Sequence, residues 1–153
     1  MEKKYWLLKT EPTSYSIDHL ERDKTTDWGG VRNYAARNNI RDGMTKGDLA
    51  FFYHSSTDEP AITGIAEISS DAHPDPSAMD SKDDHYDPKS SPANPIWFSR
   101  TIKFKQKFKT PLTLSGLRGT KGLEKMLLFQ RGLRLSVMPV TEKEWEVIMK
   151  IAK

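Results

Sequence analysis

Tyr5-Trp6-Leu7-Leu8-Lys9-Thr10-Glu11-Pro12 is the stretch that decides how the chain begins to fold. A short, unbroken apolar run stopped by a polar pair and a proline reads as a buried first strand followed by a turn. Beyond the turn, Ser14 or Ser16 can cap a short helix through Ile17 and Leu20, with Asp18 placed near its positive end. Trp28-Gly29-Gly30-Val31-Arg32-Asn33 reads as a loop, because paired glycines allow backbone angles that other residues resist. Tyr34 to Asn39 then predicts one or two helical turns. Lys46-Gly47-Asp48 is a tight turn into an aromatic-rich strand, Leu49 to His54, and another strand runs from Ala61 to Ile68. Trp97 to Phe108 alternates, with Ile102, Phe104 and Phe108 on one face and Lys103, Lys105, Lys107 and Lys109 on the other. Short helical turns broken by Gly116, Gly119 and Gly122 follow, then a last strand over Arg134 to Val140. Thr141-Glu142-Lys143-Glu144 is a capping box, Val140 can staple onto Trp145, and Trp145, Ile148, Met149 and Ala152 make one apolar helical face. No internal repeat is present. Strands with short helices between them, closed by a helix, predict the α+β class: a mixed β-barrel with short peripheral helices and a C-terminal helix, in one domain over residues 1–153.

The charge is unevenly divided. Residues 71–87 hold six Asp against one Lys, a net −5 in a chain whose total is +3. Residues 100–134 hold ten Lys or Arg and a single acid, Glu124. Such segregation suits a polyanionic partner for the basic side. With five Pro and six Ser as well, residues 69–95 read as a long solvated loop, of the kind that is usually functional or mobile. The chain has no Cys, which removes disulfides, thiolate nucleophiles and Cys-ligated zinc and suits a reducing compartment. No apolar run approaches the length of a membrane span and the first residues lack a signal-peptide pattern, so the expected protein is cytoplasmic and keeps off membranes.

Most catalytic chemistry lacks its residues. There is no Gly-x-Ser-x-Gly elbow, no phosphate-binding Gly-rich loop with Lys-Ser/Thr, and no dinucleotide fingerprint. His54 and Ser55 are neighbours on a strand and point to opposite faces, which argues against a nucleophile–base pair. A metal-dependent hydrolase built from Asp71, His73, Asp75, Asp83, Asp84, His85 and Asp87 is the alternative, although the spacing matches no calcium loop. The expectation is a chain that is not an enzyme, holds no metal and needs no cofactor.

Five motifs, in order, resemble the EVE domain family. They are Tyr5 to Pro12, Trp28 to Ala36, Lys46-Gly47-Asp48 with Phe52 to Ser55, Tyr86-Asp87-Pro88-Lys89-Ser90, and Arg134 to Thr141. The likeness covers nearly the whole chain; Arg118 to Gly122 departs from it by being richer in glycine and basic residues. It implies a PUA-like fold, related to YTH and other base-reading domains, and recognition of modified bases in DNA or RNA rather than catalysis.

A base-capturing site needs an aromatic wall, hydrogen-bonding groups for the base edge, and cations for phosphate. Trp28 could stack, Asn33 offers both a donor and an acceptor, and Val31 and Tyr34 flank them. Tyr53, His54 and Ser55 sit at a strand end, Lys9 and Glu11 where the first strand leaves the barrel, and Trp97 could form an opposite wall. For Trp28, Trp97 and His54 a purely structural role is the competing reading. Arg32, Arg131, Arg134, Lys103 and Lys105 are candidates for phosphate, although the lysine comb could equally protect a sheet edge. Tyr86, Asp87 and Ser90 could close over the pocket as a lid. The expected partner is a nucleic acid with a modified base, such as 5-methyl- or 5-hydroxymethylcytosine, bound by a monomer; an RNA-binding module without modification specificity is the other reading.

Overall fold

The computed structural model describes residues 3–130 and 135–152. Seven strands form one mixed sheet: β1 (Tyr5–Thr10), β2 (Thr25–Trp28), β3 (Leu49–His54), β4 (Ala61–Ile68), β5 (His73–Pro74), β6 (Phe98–Thr113) and β7 (Val137–Val140). Four short helices decorate it: α1 (Ile17–Asp23), α2 (Tyr34–Asn38), α3 (Leu114–Arg118) and α4 (Glu142–Ile151). The strand order is β2-β6-β4-β3-β1-β7, with β5 paired to β6. Among the described residues only β1 and β3 run parallel, with Tyr5 opposite Leu49 and Thr10 opposite His54, so both strands end at the same level.

Alternation along β1 and β3 explains why both are apolar throughout. Trp6, Leu8, Ala50 and Phe52 join one buried cluster, whereas Leu7, Phe51 and Tyr53 join another on the opposite face. The second cluster is covered by α4, whose Trp145 stacks on Phe51 at 3.9 Å and on Tyr5 at 4.5 Å. The capping box that starts α4 forms as its sequence predicts: Glu144 N donates to Thr141 Oγ1 at 3.1 Å, and Thr141 N to Glu144 Oε1 at 3.0 Å. At α1 the cap is Ser16, completed by the His19 ring rather than a carboxylate.

Three details depart from the sequence reading. Thr25–Trp28 is a strand paired with Arg100–Lys103 of β6, so Trp28, expected to begin the loop, ends a strand. On β6 the expected single apolar face is split. One step along β4, from Ala66 to Ile65, takes up two along β6, from Phe104 to Gln106, and this bulge sends Phe108 to the opposite cluster from Ile102. Finally, β2 and β7 end the strand path and among the described residues no ladder joins them, so the sheet is open rather than closed into a barrel. No described helix is long and apolar enough to cross a membrane.

Candidate functional site

A cavity opens in the gap between the two ends of the sheet. Its volume is about 640 Å³, within the range of small-molecule sites. One wall is the end of β1, Lys9 to Glu11, together with Leu135 and Ser136 just before β7. The other is β2, Thr26 to Trp28, continuing through Gly29, Gly30, Val31 and Arg32. Ser14, Tyr15, Ser55 and His85 complete the rim. The parallel pairing of β1 with β3 sets this geometry: Ser55 N donates to Thr10 O at 2.8 Å just beyond the last strand pair, and Lys9 N ties the β1 end to Ser136 O at 2.8 Å.

Two groups in these walls are uncommitted. The Lys9 ammonium has no ion pair or hydrogen bond among the described residues, Glu11 included, and burial lowers its pKa. Trp28 packs edge-on against Phe52 at 5.8 Å, yet its Nε1 is buried without any hydrogen-bond partner. Leaving such a donor unpaired costs about 1–3 kcal/mol.

The glycine pair explains the close fit of the neighbouring wall. A Cβ on Gly29 would stand 2.8 Å from Asp75 Oδ1, and Gly30, at φ +74°, carries the His85 ring directly over its Cα. Asp75 is 1% exposed and accepts from Gly30 N (2.7 Å), Arg32 Nη1 (3.0 Å), Ser77 N (3.0 Å) and Ser77 Oγ (2.8 Å). Burial pushes this carboxyl up, but the hydrogen bonds from Gly30, Ser77 and Arg32 together outweigh it and hold the pKa below its ordinary value.

Arg32, expected as a phosphate contact, has its guanidinium engaged within the chain. Its donors go to His85 O (Nε 3.0 Å, Nη2 2.6 Å), Val31 O (2.8 Å), Asp75 Oδ2 (3.0 Å) and Ser77 Oγ (3.3 Å). It clamps the acidic segment to the Gly29–Val31 wall. The supposed solvated loop is therefore folded: β5 pairs with β6, Pro76–Met79 is a 3₁₀ turn capped by Asp75, and Asp75, Ala78, Ser90 and Trp97 are buried. Composition pointed to solvent because it counts Asp residues without showing which one is anchored.

Of the other expected pocket residues, Val31, Ser55, Lys9 and Glu11 line the cavity with Trp28, and Asn33, Tyr34, Tyr53, His54 and Trp97 do not. Asn33 caps α2, its Oδ1 accepting from Ala36 N at 3.0 Å. Tyr53 is 3% exposed in the cluster on the other face, as strand alternation requires once Phe52 faces the first. His54 Nε2 accepts the Ile17 N–H at 3.1 Å, and burial lowers its pKa. Trp97 is 5% exposed, donates Nε1 to Asp87 Oδ2 at 2.7 Å and stacks under Tyr34. Of the lid candidates, Asp87 is thus engaged with Trp97, Ser90 Oγ accepts from Ile96 N at 3.0 Å, and Tyr86 is exposed; the cavity rim is formed instead by His85. Lys103 and Lys105 lie on β6 and do not line the cavity, and Lys105 pairs with Glu67 at 3.2 Å. Arg131 and Arg134 fall outside the described residues.

Thr10, Ser14, Tyr15, Thr26, Asp27, His85, Leu135 and Ser136 were not foreseen as cavity residues. Ser136 belongs to a motif quoted above, but nothing in the pattern shows that it sits beside Lys9. A second groove of about 390 Å³ adjoins the cavity, shares Asp27, Gly29, Gly30 and His85 with it, and is lined by Asp75, Asp80 and Asp83. Among the described residues no three His, Asp or Glu side chains stand together as a metal site. His73 is instead bound to Asp27 at 2.8 Å and His85 to Asp83 at 3.0 Å.

An open mixed sheet with short helices, a C-terminal helix and a polar-aromatic cavity at its mouth defines the PUA-like class. The chain belongs to the EVE domain family, whose pattern it matches over residues 4–151. It is 37% identical to thymocyte nuclear protein 1 of Homo sapiens over 96% of this chain and 73% of that protein. A hypothetical protein from Leishmania major superposes with a TM-score of 0.93 at 44% identity, covering 99% of this chain and 95% of that one. The human THYN1 protein, solved in complex with DNA containing 5-methylcytosine, superposes with a TM-score of 0.92 at 35% identity, covering 99% of this chain and 98% of that one.

Proposed function

We propose that the chain is a non-catalytic nucleic-acid reader, a cytoplasmic monomer that takes one modified base out of its strand and holds it in the cavity at the sheet mouth. The observation that carries this reading is the cavity: large enough for a base, walled by Trp28 and by a Lys9 that has no partner among the described residues, in a chain built like a protein solved on 5-methylcytosine DNA. Removing a base from a duplex costs a few kcal/mol. Stacking on an aromatic face returns about 1–3 kcal/mol. Trp28 supplies the face, Lys9 is a donor for base acceptors, and Glu11 is an acceptor for an exocyclic amine.

Among the described residues no hydroxyl lining this cavity is hydrogen-bonded to a histidine or carboxylate that also lines it. Ser55 Oγ is directed at Thr10 O at 3.4 Å, and His54 spends its ring on the start of α1. Cytosine carrying a 5-methyl or 5-hydroxymethyl group is the favoured ligand. A methyl group alone supports about 1–3 kcal/mol of discrimination, so tenfold preference is the expected scale.

Titration of labelled oligonucleotides that differ only in one cytosine, plain, 5-methylated or 5-hydroxymethylated, tests this. About tenfold tighter binding to one modified form is expected. Equal affinity across a broad panel of modified DNA and RNA would leave an RNA-binding module without modification specificity, and no binding to any would end the proposal.

A further inference from the structure

We infer that Tyr34 is the stacking surface for the nucleotide next to the captured base, so that the protein grips a short unstacked segment and not a lone base. The inference rests on the base-capture reading. Tyr34 is 60% exposed, the most exposed large apolar side chain among the described residues. Its ring is nonetheless held firmly. It lies on Trp97 with centroids 4.9 Å apart and planes 26° from parallel, and Trp97 is itself fixed by Asp87. The guanidinium of Arg37 lies over the Tyr34 ring, 5.0 Å from its centroid, and is anchored to Ile96 O at 2.9 Å and to Asn38 Oδ1 at 3.0 Å.

The position of this ring is tied to the cavity. Arg32, in the cavity wall, stands 5.2 Å from the Trp97 ring on which Tyr34 rests. Tyr34 is therefore within about 10 Å of the Arg32 guanidinium, a span that one or two nucleotides of unstacked strand bridge. Capture of one base takes away the stacking partner of its neighbour. A largely exposed ring on a rigid support, together with the guanidinium over it, returns that lost stacking without demanding a particular base. Covering Trp97 alone does not need an aromatic ring left mostly in water.

The test compares two probes, the free nucleoside 5-methyl-2′-deoxycytidine and a single-stranded hexanucleotide carrying one 5-methylcytosine. Tyr34→Ala is expected to weaken hexanucleotide binding about tenfold and leave nucleoside binding within about twofold, with Tyr34→Phe close to the unaltered protein on both. Equal hexanucleotide affinity for the alanine variant overturns the inference, and so does a parallel loss on both probes, which would mean that Tyr34 acts by shaping the cavity. If the alanine variant does not fold, 2-aminopurine placed beside the 5-methylcytosine reports on the unaltered protein: quenching at saturation is expected, and an unquenched signal overturns the inference. Failure of the unaltered protein to bind either probe would defeat base capture itself, and this inference with it.

Discussion

Trp28 and Trp97 stand at two ends of one neighbourhood and could hardly be treated more differently. Trp97 is packed between Arg32 and Tyr34 with its indole N–H on Asp87, in a segment where Asp75, Arg32 and Ser90 are also bonded. Trp28 lines an open cavity with an N–H that has no partner among the described residues, opposite a lysine that has none there either. The acidic segment, rich in groups that suggest chemistry, spends them on holding itself down. At the strand ends, Lys9 and the Trp28 indole keep theirs unspent among the described residues. A site is recognised here by what remains unsatisfied, because burying polar groups without partners is costly unless a ligand completes them.

Altering the buried carboxylate should break this contrast most severely. Asp75→Ala strips Gly30 N, Ser77 and Arg32 of their shared acceptor and is expected to cost about 3 kcal/mol, or about 10 °C in Tm by thermal melting. A variant that melts with the unaltered protein would mean the segment is not latched at this point. Next comes Trp28→Ala, expected to weaken modified-oligonucleotide binding by at least about tenfold while melting falls much less in proportion. Large destabilisation with unchanged affinity per folded molecule would return Trp28 to the core. Trp28→Phe sharpens the point, since it removes an unpaired donor worth about 1 kcal/mol: stability should hold or rise as affinity falls.

A smaller effect concerns the strand-end histidine. His54 must be neutral to accept the Ile17 N–H, and burial keeps its folded pKa below the ordinary value. Its contribution is complete above about pH 6.5 and is lost as pH falls through the folded value. Melts at about pH 7.5 and pH 5 should show that loss in the unaltered protein and less of it in His54→Asn, which does not titrate. A pH response identical in both would remove His54 as its source. The smallest change is expected from Lys105→Ala, at a residue that does not line the cavity and whose exposed pair with Glu67 is worth about 0–1 kcal/mol. A drop of about one in the salt slope of oligonucleotide binding would instead put Lys105 on phosphate.

The two regions also differ in how far they can be read from residues alone. The β1 run, the Thr141–Glu144 capping box and the face of α4 are local patterns, and each forms where its spacing says. β2 carries no such pattern, being four residues that become a strand only because β6 offers an edge. Trp28, Val31, Ser55, Lys9 and Glu11 share a cavity because a parallel pairing and an open sheet bring their strand ends together. Tyr53 and Trp97 looked equally suitable by residue type, but strand parity turned one away and Asp87 captured the other. Residue chemistry narrows the candidates, and long-range pairing chooses among them.

The sharpest single measurement follows the indole N–H signals by NMR while 5-methyl-2′-deoxycytidine is added, with the Trp28 signal identified by its loss in Trp28→Phe. Base capture between Lys9 and Trp28 predicts that the Trp28 resonance shifts with saturable binding while the Trp97 resonance, held by Asp87, stays in place. Bound nucleoside with an unmoved Trp28 signal would contradict the account.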